Sequence, residues 1–96
     1  MTMTISIFKE SLAGKEPPPN TSIYLKALWH DAKNDWEKAH TLIQYLPDTT
    51  AAWLHAYLHR REGDQFNADY WYRRAGKRRK DVSLAEEREE MVAVFL

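Results

Sequence analysis

ALWHDAKNDWEKAHTLI, residues 27–43, lies over AYLHRREGDQFNADYWY, residues 56–72, at an offset of 29. His30 meets His59, Asp35 meets Asp64 and Ala39 meets Ala68, while Leu42 and Ile43 meet Trp71 and Tyr72. Each copy reads as helix, tight turn, helix. A small residue at 39 or 68 lets the second helix approach the first closely. Four positions later Ile43 or Tyr72 fills the space beyond. Asn34-Asp35 and Gly63-Asp64 supply the turn and the next cap. Gly tolerates the left-handed backbone that follows a helix, and an N-cap Asp accepts from first-turn amides. The stretch predicts one helical hairpin written twice.

Working outward, Thr21 or Ser22 caps the first helix, whose apolar positions are Ile23, Tyr24, Ala27, Leu28 and Ala32. The second runs from Trp36 to about Leu46, with Trp36, Ala39, Leu42, Ile43 and Leu46 on one face, and Pro47 stops it. Asp48 or Thr49 caps the third, which carries Ala52, Trp53, Ala56 and Tyr57. Asp64 caps the fourth, which buries Ala68, Trp71, Tyr72 and Ala75 and ends at Gly76. Ser83 and Glu86 form an S-x-x-E capping box for a last helix with the stripe Leu84, Met91, Val92, Phe95. Residues 2–7 alternate polar and apolar, as in a strand-like arm, although IFKESLAG also fits one helical turn ending at Gly14. Pro17, Pro18 and Pro19 impose extended backbone. The expected fold is all-α: two antiparallel helical hairpins plus a C-terminal capping helix. Residues 1–20 are an N-terminal arm and Pro-rich linker, and 21–96 a single helical-repeat domain.

A chain of 96 residues has room for one compact core. Hydrophobic residues at 44% and charged residues at 29% fit a globular protein. No apolar run approaches the roughly 20 residues of a membrane span, and the N-terminus has no basic, then apolar, leader pattern. The absence of cysteine excludes disulfides, a thiol nucleophile and thiolate metal ligands. A cytoplasmic home and no membrane partner are expected. Net charge is zero but unevenly spread: residues 59–80 carry net +5 and residues 81–96 net −4. The block Arg73, Arg74, Lys77, Arg78, Arg79, Lys80 is followed at once by Glu86, Glu87, Glu89 and Glu90. Self-neutralisation, within the chain or with a second copy, is the favoured reading of this pattern. Nucleic acid is not expected as a partner.

The two copies resemble the tetratricopeptide and Sel1-like helical-repeat superfamily. Ala56, Gly63-Asp64, Ala68, Tyr72 and Ala75 carry the resemblance best, and WYRRAG (71–76) looks much like the second helix of a Sel1-type repeat. The chain also looks like a group of short bacterial proteins bearing H-A-Y-L-H-R-x-E-G-D-x-x-N-A-x-Y-W-Y-R-R-A, here 55–75. In such repeats each unit buries its apolar face on a neighbour, and about three are needed for stability. With two copies, something must cover the ends. The last helix, with its apolar tail MVAVFL, is the expected cap, and a homodimer is expected to cover the rest.

The resemblance implies that the first helix of each pair lines a concave groove. That places Tyr24, Leu28 and Asp31 from one copy, and Trp53, Tyr57, Arg60 and Arg61 from the other, on a binding surface, with Tyr70 and Arg74 in the same aromatic–basic cluster. Aromatic anchors beside Arg have the composition of binding hot spots, and the arginines suit an acidic or C-terminal peptide. A competing reading packs Trp53 and Tyr57 against the last helix and pairs Arg60 with Asp64. The other constellation is His55-Ala56-Tyr57-Leu58-His59 with Glu62. Histidines at i and i+4 share a helix face, a metal-ligand spacing, with Glu62, His30 or His40 as third ligand. Position 56 is Ala, where a zinc protease needs Glu. Packed histidines are therefore favoured, and no metal or other cofactor is expected. Gly14, Gly63 and Gly76 form no phosphate loop, and no serine lies in a nucleophile elbow. The sequence predicts a non-catalytic interaction module for a protein or peptide partner. The alternative is a His-lined metal or small-molecule site with hydrolase-type activity.

Overall fold

The computed structural model describes residues 3–78 and 81–96. Its helices are α1 (Ile5–Ser11), α2 (Ile23–Ala32), α3 (Trp36–Ile43), α4 (Thr49–Arg61), α5 (Gln65–Arg74) and α6 (Leu84–Phe95), with no strand among the described residues. The fold is all-α: α2 packs on α3, α4 on α5, and α6 lies across α2 and α4.

The helix starts are where the polar residues put them. Ser22, Asp35, Asp48, Asp64 and Ser83 each accept the amide of the residue three positions on. At the last of these the Glu86 carboxylate accepts from the Ser83 hydroxyl instead of reaching back to the backbone amide. The two three-residue turns share one hydrogen-bond pattern. Asn34 and Asp35 N–H donate to Asp31 and His30 carbonyls; Gly63 and Asp64 N–H donate to Arg60 and His59. The turn residue is left-handed both times, with φ 64° at Asn34 and 87° at Gly63. An added Cβ at Gly63 would meet nothing within 4 Å, so only backbone strain opposes it. Gly63→Ala is therefore expected to lower stability by about 1 kcal/mol, measured by urea denaturation.

One local alternative is decided and one expectation corrected. Of the two readings of the N-terminal segment, the helical one holds and the strand-like arm does not: residues 5–11 form a helix of two turns, because Thr4 caps it and Phe8 gains a buried place in the core. Trp29 Nε1 donates to Ser11 Oγ, and Lys33 Nζ reaches the carbonyls of Leu12 and Gly14, tying α1 to α2. The helix starting at Trp36 ends at Ile43 rather than Leu46. Pro47 disfavours helical backbone at Leu46, whose amide instead closes a tight turn onto the Ile43 carbonyl.

Ala39 and Ala68 are fully buried, with Ile43 and Tyr72 beyond them, so each pair closes over its small residue as the spacing implied. α4 is the central element: all residues from Ala51 to Leu58 are buried. No described helix is long and apolar enough to cross a membrane.

Candidate functional site

The expected groove between α2 and α4 is filled by α6 of the same chain. Tyr57 is 0% and Trp53 3% exposed, and Leu28 and Asp31 are fully buried. These four are core, not an open binding surface, because the last helix supplies both the apolar cover and the charges they require. Trp53 packs edge-on against Phe95 at 5.6 Å, and Tyr24 lies 5.9 Å from the same ring. The Tyr24 hydroxyl donates to Asp48 at 2.8 Å.

Glu87, inside the acidic block read as surface, is fully buried. Its carboxylate accepts from Trp53 Nε1 at 3.0 Å, the Tyr72 hydroxyl at 2.8 Å and Arg60 Nη1 at 2.6 Å. Arg60 thus pairs with Glu87, not Asp64, and its second nitrogen donates to the Val82 carbonyl. The neighbouring residue Arg88 faces Asp31 at 3.5 Å. Asp31 also accepts from Arg61 at 2.7 Å and the Tyr57 hydroxyl at 2.6 Å, and Arg61 goes on to Asn34. Asp31 and Arg60, which the offset of 29 aligns, carry opposite charge. Consecutive residues of α6 read them, Glu87 on Arg60 and Arg88 on Asp31, which fixes the register of α6 in the groove. Burial beside these carboxylates pushes the Tyr57 and Tyr72 hydroxyls well above their ordinary pKa.

Tyr70 and Arg74 are outside this core. They share the outer face of α5 with Phe66, spaced at four residues. Phe66 is 84% and Tyr70 41% exposed. Arg74 donates to the Tyr70 hydroxyl at 3.1 Å and lies over the Tyr70 and Trp71 rings. Arg73, Lys77 and Arg78 are exposed nearby, and Lys77 covers the Trp53 ring at 4.2 Å. Arg79 and Lys80 of the basic block lie outside the described residues.

The histidines converge. His55 and His59 of α4 point into the crevice between α3 and α5, where His40 of α3 meets them. His40 Nε2 and His55 Nε2 are 2.9 Å apart, and ligand nitrogens of all three lie within 4.8 Å of one another. His59 Nδ1 is 2.6 Å from Glu62 Oε2. Trp36 stacks on His40 at 4.7 Å and Trp71 on His55 at 3.9 Å. His30, the other candidate third ligand, packs edge-on against Trp29 and belongs to neither of the possible ligand groups among the described residues. Burial, reinforced by the other two histidines, pushes His55 down to about 4, and burial also lowers His40. The walls Trp36 and Trp71 carry no separate sequence signal; they read only as helix-face aromatics. Glu87 did leave one: the stripe from Leu84 to Met91 has a gap at 87 and 88, where an inward helix face carries charge.

A cavity of about 180 Å³ lies between α1 and α6, lined by Phe8, Leu12, Arg88 and Val92 among others. It is smaller than ordinary ligand pockets and remote from both the histidines and the α5 face. Comparison with known proteins returns no match: no family model, no curated protein and no solved structure is similar to this chain.

Proposed function

We propose that the protein is a non-catalytic interaction module that contacts an acidic partner surface through the outer face of α5, and that a second copy of the chain offers such a surface. The observation that carries this is the exposure of Phe66 and Tyr70 in one row with Arg74. Phe66 and the open side of Tyr70 face water, where apolar ring area contributes little to the fold. They gain only when a partner covers them, at about 25 cal/mol per Å² of apolar area. Rows of this composition are typical anchors of protein interfaces.

The partner's chemistry follows from charge. Arg73, Arg74, Lys77 and Arg78 are exposed at the C-terminal end of the aromatic row, so the complementary surface is acidic with an apolar end. The outer face of α6 has that composition: Glu86, Glu90 and Val94 are exposed at the same four-residue spacing. Laid antiparallel, the two rows set Phe66 on Val94, Tyr70 on Glu90 and Arg74 on Glu86. Rows at i±4 from two helices interdigitate in the commonest mode of helix packing.

The test is light scattering across a concentration series. The mass is expected to rise above the 11.3 kDa of one chain and to fall back as salt is added. Arg74→Glu and Glu86→Arg are each expected to be monomeric, and a mixture of the two to associate. A wild-type chain that stays monomeric at high micromolar concentration and low salt overturns self-association. If such a chain also fails to bind a fluorescein-labelled Glu-rich peptide, the interaction reading falls with it.

A further inference from the structure

We propose that His40, His55 and His59 form a binding site for one divalent late transition-metal ion, with Glu62 orienting His59 from behind. This site lies on α3 and α4, away from the α5 row, and stands independently of the proposed interface.

Geometry comes first. Tetrahedral ligation at metal–nitrogen distances of about 2.0–2.1 Å sets ligand nitrogens roughly 3.3 Å apart. The His40–His55 pair at 2.9 Å needs to open by a few tenths of an ångström. The remaining separations, all within 4.8 Å, need to close by ~1.5 Å at most, which small side-chain rotations supply. Two ligands are one turn apart on α4, the most deeply packed helix, and the third is on α3, which packs against it. Sites on helices hold their ligands more rigidly than sites on loops.

The nitrogen chemistry agrees. A carboxylate only accepts, so His59 Nδ1 donates to Glu62 and its lone pair sits on Nε2. A carboxylate behind a ligating imidazole is the usual support of a metal histidine. Between His40 and His55 one Nε2 donates and the other accepts, so one further lone pair already points inward. The donor ring needs only to move its proton from Nε2 to Nδ1, through solvent, to offer the third. No net charge change of the protein is required. Trp36 and Trp71 lie flat against two of the ligand rings and fix their planes.

The donor set selects the ion. Three neutral imidazoles suit zinc, copper, nickel and cobalt and offer nothing to magnesium or calcium, which take oxygen ligands. The other possible group, His59 with Glu62 and Asp64, is weaker. Asp64 is already engaged by the Asn67 amide and side chain as the cap of α5. Three protein ligands leave a fourth position for water or an exogenous ligand, the arrangement of open rather than purely structural zinc sites.

The experiment is calorimetric titration of the untagged, chelator-treated chain with Zn²⁺, paired with Co²⁺ absorption. One ion per chain is expected, and Co²⁺ should give the intense visible bands of a tetrahedral nitrogen site. His40→Gln and His59→Gln, both at partly exposed positions, should each weaken binding at least tenfold. Glu62→Gln should weaken it on the order of tenfold, and His30→Gln should leave it unchanged. Far-UV circular dichroism confirms the fold of each variant; should a histidine variant unfold, Glu62→Gln on the exposed rim carries the test. No zinc heat and no tetrahedral cobalt bands would overturn the proposal. So would binding of wild-type strength in the His40→Gln/His59→Gln double variant, or an unaltered affinity in Glu62→Gln.

Discussion

Glu87→Ala is expected to lower the unfolding free energy by about 3–5 kcal/mol, the cost of breaking a buried ion pair from one side. Glu87 is fully buried and is the shared acceptor of Trp53, Tyr72 and Arg60. Removing it strands the Arg60 guanidinium in a poorly solvated place and takes the acceptor from the Tyr72 hydroxyl. Small domains hold only about 5–15 kcal/mol in total, so the variant should be close to unfolding at room temperature. Glu87→Gln separates the two components. It keeps an acceptor for the neutral donors but leaves the Arg60 charge uncompensated, and should cost about 1–3 kcal/mol. Urea denaturation followed by far-UV circular dichroism measures both. A Glu87→Ala midpoint equal to wild type would mean that α6 is not held in the groove as described.

The same carboxylate marks the limit of what the sequence discloses. Helix existence and helix starts were legible because they rest on local chemistry: an Asp or Ser, an amide three residues on, a left-handed residue before the cap. The close approach at Ala39 and Ala68 was legible because side-chain volume at fixed spacing decides it. What covers the groove is a long-range question. Trp53, Tyr57 and Asp31 look the same in a chain whether a foreign peptide or the chain's own helix lies on them. Arg60 and Asp31 instead pair with Glu87 and Arg88 of the chain's own α6. The acidic block misled because Glu86, Glu89 and Glu90 are surface charges while Glu87 faces inward, and the gap at 87 and 88 in the apolar stripe was the one mark that separates them. The N-terminal segment stayed open between a strand-like arm and a helical turn because six residues of alternation suit both about equally. Phe8 settles the matter by finding a place in the core. For the histidines, the i, i+4 pair was visible in the sequence. The choice of His40 over His30 required knowing which face of α4 meets α3.

The histidine cluster should make stability fall as the solution is acidified, beginning above the range where carboxylates titrate. His55 is buried against Trp71 and beside two other imidazoles, which push it from the ordinary 6.5 down to about 4. The unfolded chain therefore binds this proton before the folded chain does. Between those two values the unfolded state holds more protons, so the derivative of unfolding free energy with pH is positive. The contribution is fully present above pH 6.5 and is lost as pH falls toward 4. Discounted for the partial solvation of the cluster, the full loss is about 2–3 kcal/mol. His40 is shifted in the same direction and adds to the slope. Asp48, Asp64 and Glu89 are held below their ordinary values by hydrogen bonds, so their losses come at lower pH still. Chelator-treated protein is needed, since a bound ion would compete with the same protons. Urea midpoints between pH 7.5 and 4.5 should fall steadily for the wild type and much less for His55→Gln, which has no proton to take up. Equal slopes in the two proteins would show that the His40–His55 contact is not maintained between neutral rings. A steeper wild-type slope with saturating zinc would join this measurement to the proposed metal site, because a bound ion keeps protons off the folded-state imidazoles while the unfolded chain still takes them up.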